Sequence, residues 1–108
     1  MKENKTYLLH IIEAIEKVNE YTKSETYESF LKNDLVFDAV MRKLEVIGEA
    51  SCNVSEDFQE QNSQIPWGKM IGMRNKLIHE YFGVDKKVVW KTCKDDLPEL
   101  KKLIEAVI

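Results

Sequence analysis

The stretch Leu35 to Asn53, LVFDAVMRKLEVIGEASCN, constrains the fold of this chain more than any other. At about 100° per residue, Leu35, Val36, Phe37, Ala39, Val40, Met41, Leu44, Val46, Ile47, Ala50 and Cys52 cover well over half of a helix circumference. Asp38, Arg42, Glu45 and Glu49 crowd into what remains, and Lys43 interrupts the apolar side. A helix so widely apolar must be covered from several directions. In a chain of 108 residues, one of those directions can be a second copy of the chain. Gly48 sits inside this helix, where glycine costs about 1 kcal/mol against alanine. It makes sense there if a neighbouring backbone comes close.

The rest of the chain reads as helix too. There are four glycines, two prolines and no period-2 run of β-branched residues, which predicts an all-α domain spanning 1–108. A first helix is expected from about Lys5 to Tyr21, with Tyr7, Leu8, Ile11, Ile12, Ala14, Ile15, Val18 and Tyr21 on one arc. The segment TKSETYESFLKND holds one short helix capped by Ser24, and Asn33 or Asp34 caps the long helix that follows. SEDFQEQNSQIP is a short helix or loop. Pro66 suits the first turn of a helix running through Trp67 to Phe82, which Gly83 should end with a left-handed cap. Asp85 caps the last helix, in which Val89, Cys93, Leu97, Leu100, Ile104 and Val107 keep one register across Pro98. That pattern predicts one helix kinked before Pro98, or two collinear pieces.

Composition and charge narrow the function. No apolar run approaches the roughly 20 residues of a membrane span, and the first residues lack the uninterrupted apolar core of a signal peptide. Cys52 and Cys93 have no metal-ligand spacing and read as small core residues in a reducing cytoplasm. The net charge of −3 argues against a general polyanion binder. Charge is unevenly placed, however: the only stretch with a surplus of Lys and Arg is 66–87. A patch that short can hold a phosphate or two.

Within it lies RNKLIHEYFG, residues 74–83. With Arg74 at the zero of a helical wheel, Trp67, Met70, Ile71, Leu77, Ile78 and Tyr81 all fall within about 60° of it. Arg74 therefore sits mid-face among apolar residues, whereas Asn75 and His79 lie on the border with the polar side and Lys69, Lys76 and Glu80 beyond it. Two readings stay open. Arg74 can be a structural arginine paired with a carboxylate of another helix, with Tyr81 a core aromatic and His79 a surface residue. Alternatively, the fork and fixed charge of arginine suit a phosphate, and histidine moves protons near neutral pH. Together these suffice for metal-free RNA cleavage. Residues five apart lie about 140° apart on a helix, so Arg74 and His79 do not converge readily within one chain; two helices crossing at a two-fold axis would bring them together.

The pattern R-x4-H-x-Y formed by Arg74, His79 and Tyr81 resembles the signature of HEPN-domain ribonucleases. Its setting, IPWGKMIGMRNKLIHEYFGVD followed by VVWKTCKDDLPELKKLI, resembles the HepT toxins of HepT/MntA toxin–antitoxin pairs. YLLHIIEAIEKVNEYT and FLKNDLVFDAVMRKLEVIGEA extend the likeness to nearly the whole chain, although the family commonly shows an acidic residue where this chain has His10. The resemblance implies an up-and-down four- to five-helix HEPN bundle, homodimeric and cytoplasmic, with its active site in a cleft at the dimer interface. It implies a metal-independent endoribonuclease without cofactor, with Arg74 and His79 catalytic and Asn75 and Lys76 supporting the site or contacting RNA phosphates. Tyr81 would accept AMP from ATP through an MntA-like nucleotidyltransferase antitoxin. The alternative is a non-catalytic helical partner, or substrate-binding subunit, of a separate nucleotidyltransferase.

Overall fold

A computed structural model describes residues 2–80 and 83–108, and all of its regular secondary structure is helical. Helix α1 spans Lys2–Thr22, α2 Tyr27–Lys32, α3 Asp34–Asn53, α4 Glu56–Gln61, α5 Trp67–His79 and α6 Lys86–Lys91. A single π-helical turn, Thr92–Asp96, joins α6 to α7, Leu97–Glu105. The all-α bundle expected from the sequence is what the chain forms. None of the described helices is long and apolar enough to cross a membrane.

The broadly apolar helix is α3, and it is central. It packs against α1 on one side and α5 on the other, with α2 across its N-terminal end. Phe37, Val40, Leu44, Ile47, Gly48, Ala50 and Ser51 are buried by these neighbours. One chain therefore supplies most of the cover that the pattern demanded. Leu35, at 82% exposure, is the main apolar residue left open. Cys93 is buried as expected, whereas Cys52 is exposed at the edge of the apolar arc of α3.

Local signals set most boundaries. The Asn33 side chain accepts a hydrogen bond from the Val36 N–H at 3.1 Å and caps α3. Asp85 accepts from the Lys87 N–H at 2.8 Å and caps α6. The cap of α2 is Thr26 rather than Ser24. Ser29 three residues on returns a bond to the Thr26 N–H, and this reciprocal pair outcompetes a lone serine. At the other end of α3, the Gln59 amide donates to the carbonyls of Ser51 and Val54, both at 3.1 Å, adding to the Val54 N–H bond that the Ser51 carbonyl already accepts at 3.3 Å.

Two further departures concern α5 and the last helix. Helix α5 stops at His79, three residues before the expected Phe82, and Gly83 does not adopt a left-handed conformation. The Glu80 N–H bonds the Lys76 carbonyl at 2.8 Å, and the Gly83 N–H bonds the Glu80 carbonyl at 2.9 Å. The helical register across Pro98 is kept as expected, but by local widening. The Leu97 N–H reaches back five residues to the Thr92 carbonyl, which accommodates a proline that can neither donate nor tolerate a regular turn before it.

Candidate active site at the seam of helices 3 and 5

The seam between α3 and α5 is built around one missing side chain. A Cβ on Gly48 would overlap the Cβ of Arg74, and would lie 2.8 Å from its Cγ and 2.9 Å from the Met70 carbonyl oxygen. Glycine is therefore required by close approach, as the sequence suggested, and what approaches is the stem of Arg74 together with the α5 backbone. Trp67, Met70 and Leu77 bury the same face of α5. Arg74 lies along this face with its side chain 24% exposed.

The guanidinium emerges at the edge of the seam, where two neighbours hold it. Nη2 donates to Glu49 Oε2 at 2.6 Å and Nη1 donates to Asn75 Oδ1 at 2.7 Å. The hydrogen bond that Arg74 donates to Glu49 is the largest influence on its pKa and raises it further above the usual arginine value, so the charge is permanent at any working pH. Nε is buried without a partner. A guanidinium carries five N–H donors; two are engaged by the pairs described, one is buried, and one on each terminal nitrogen remains for an incoming oxygen.

Arg74 opens onto a depression of about 390 Å³ shared by three helices. Tyr7 and His10 come from α1, Arg42, Glu45, Val46, Glu49, Ala50 and Asn53 from α3, and Arg74 and Ile78 from α5. Ile78 is 46% exposed although it lies near the middle of the apolar face of its helix. The depression thus pairs arginine with glutamate on an otherwise partly apolar floor.

The expected site residues are only partly assembled. Asn75 is exposed and bonded to Arg74, and Lys76 is exposed on the outer face of α5. His79 is the last residue of α5 and is exposed. Among the described residues, the lining of the Arg74 depression does not include His79. Tyr81 falls outside the described residues. Arg74 has the interhelical carboxylate partner that its structural reading foresaw, and one N–H on each terminal nitrogen stays outside the two bonds described. Glu49 was read from sequence only as part of a polar strip. No signal within α3 alone points from Glu49 to Arg74, which lies 25 positions further along the chain. Among the described residues there is no group of three or more His, Cys, Asp or Glu placed to hold a metal.

A helical bundle with an arginine held at an interhelical seam and a histidine at the end of the same helix fits a known class. The family model for HepT-like ribonucleases matches residues 11–107, and the chain belongs to that family. It is 49% identical to a Thermococcus cleftensis protein named probable ribonuclease HepT, over 96% of this chain and 94% of the relative. It is 45% identical to a Methanocaldococcus jannaschii protein named "putative RNase", over 95% and 94% of the two chains. A Caldanaerobacter subterraneus relative, also named as an RNase, is 41% identical over 100% and 96%. No solved structure matches the chain significantly.

Proposed function

We propose that this chain is a metal-independent endoribonuclease toxin, active as a homodimer and silenced by AMP transfer to Tyr81 from a nucleotidyltransferase antitoxin. The observation that carries the reading is Arg74, whose stem lies against Gly48, whose guanidinium is held by Glu49 and Asn75, and which lines a surface depression. A buried-stem arginine that keeps donors free is suited to a phosphate whose negative charge grows during cleavage. Family membership supports the choice of RNA as the substrate.

In this reaction the ribose 2′-oxygen attacks the adjacent phosphorus. The O2′–P bond forms, the P–O5′ bond breaks, and the products are a 2′,3′-cyclic phosphate and a 5′-hydroxyl. One group takes the proton from the 2′-hydroxyl and another gives one to the departing 5′-oxygen; His79 performs one of these transfers. Arg74 neutralises the phosphorane-like charge. Because His79 lies outside the Arg74 depression of its own chain, the two residues act together across a two-fold axis, with the exposed Ile78 beside the contact.

Silencing follows from charge. The Tyr81 hydroxyl attacks the α-phosphorus of ATP, pyrophosphate leaves, and the added phosphate repels RNA from the cleft. The Arg74–Glu49 pair is also compatible with a non-catalytic partner of a nucleotidyltransferase, since it would hold a structural arginine equally well. One experiment separates the two readings. The chain is expressed alone and together with a small nucleotidyltransferase encoded beside it. The toxin reading expects growth arrest with RNA fragments in the first case, and recovery with the mass of AMP on Tyr81 in the second. Indifferent growth with intact RNA in the first case favours the non-catalytic partner.

A further inference from the structure

We propose that Glu49 is the positioning residue of the ribonuclease site, holding the Arg74 guanidinium in the orientation that receives the scissile phosphate. The proposal rests on the ribonuclease reading and adds to it a residue on α3 outside the Arg–His motif. Two consecutive residues of α3, Gly48 and Glu49, both meet Arg74 of α5. Gly48 leaves the space in which the Arg74 stem lies, and Glu49 takes Nη2 at 2.6 Å. Asn75, next to Arg74, takes Nη1 at 2.7 Å. With stem and both terminal nitrogens held, the plane of the guanidinium is fixed. An arginine side chain left free would spread over many rotamers and lose that orientation.

The alternative role for Glu49 is to block. A carboxylate beside the guanidinium competes with phosphate for the same charge. Geometry and exposure favour positioning. Glu49 engages one terminal nitrogen, so a donor on each remains open. Its side chain is 60% exposed, so water screens its charge. A carboxylate that blocked the site would sit across both nitrogens in the bidentate manner.

The test uses the full-length chain and three single variants, Glu49→Gln, Glu49→Ala and Arg74→Ala, plus the double variant Glu49→Ala with Arg74→Ala, all shown folded by circular dichroism. Cleavage of a fluorescent RNA is followed in EDTA. Glu49→Ala lowers kcat by about 10- to 100-fold with little change in KM, because orientation matters most where the charge develops. Glu49→Gln keeps a neutral hydrogen bond to Nη2 and recovers most of the loss. In the double variant, loss of Glu49 adds nothing to loss of Arg74, since Glu49 acts only through it. Full activity of Glu49→Ala while Arg74→Ala is inactive overturns the proposal and leaves the ribonuclease reading standing. A rise in activity in Glu49→Gln or Glu49→Ala overturns it in favour of a blocking carboxylate. Losses that add in the double variant overturn it in favour of an independent role for Glu49. Absence of cleavage by the wild-type chain fails the ribonuclease reading itself.

Discussion

Gly48 of α3 and Arg74 of α5 lie so close that no side chain fits between them: a Cβ on Gly48 would overlap the Arg74 Cβ and come within 2.9 Å of the Met70 carbonyl. The backbone of α5 and the stem of its arginine thus share one notch in α3. The same contact that holds two helices together aims the only guanidinium on α5 at the surface.

Gly48→Ala should therefore destabilise the fold, although alanine is the better helix former. The intrinsic gain of about 1 kcal/mol is outweighed by overpacking, which costs typically 1–3 kcal/mol and more when backbone must move. Urea denaturation should place the variant midpoint below that of the wild type. An unchanged or higher midpoint would mean that the notch is not tight.

The two cysteines should behave differently. Burial pushes the Cys93 thiol up to about 12, whereas Cys52 is exposed. A disulfide reagent should modify one thiol in the native chain and two after unfolding. In the unfolded chain the Cys93 thiol ionises near its ordinary value of 9.0. From that pH up to about 12 the native thiol still holds a proton that the unfolded one has lost. Stability from this group is therefore full below 9 and falls as pH rises. Cys93→Ser, whose hydroxyl does not titrate in this range, should show a shallower alkaline decline.

At the other end of the molecule, Lys86 ties α6 to the start of α3. Its Nζ donates to Asp34 Oδ1 at 2.8 Å and to the Leu31 carbonyl at 3.2 Å. The Lys86 hydrogen bond, and then its charge, hold the Asp34 carboxyl below its ordinary 3.8. A lowered carboxyl contributes above its unfolded value and stops contributing as pH falls through the folded one. The difference in Tm between wild type and Asp34→Asn should accordingly shrink below pH 3.8. A difference that stays constant to lower pH would show that the pair does not form.

Much of this architecture was legible in the sequence because it is local. Asn33 and Asp85 cap the helices that follow them through bonds to residues two or three positions on. Thr26 displaced Ser24 for an equally local reason, the reciprocal bond to Ser29, which a search for a single capping hydroxyl passes over. The early end of α5 was less visible, since His79 and Glu80 carry no breaking signal and Gly83 drew attention to itself. Gly48 announced a close approach, but not to what. The Glu49–Arg74 pair joins residues 25 positions apart, and no periodicity within one helix reveals a contact between two.

Assembly is the next consequence. Ile78 is 46% exposed beside the Arg74 depression, and a second copy would cover it. Ile78→Asp should convert a dimer to a monomer in sedimentation and reduce RNA cleavage with it. A wild-type chain that sediments as a monomer while cleaving RNA would refute the shared site.

The most direct measurement of the central claim is the rate of RNA cleavage in EDTA by the purified wild-type chain and by folded Arg74→Ala and His79→Ala variants. The wild type should leave 2′,3′-cyclic phosphate and 5′-hydroxyl ends, and each variant should be slower by about 10²-fold or more. Cleavage by His79→Ala at the wild-type rate would contradict the assignment.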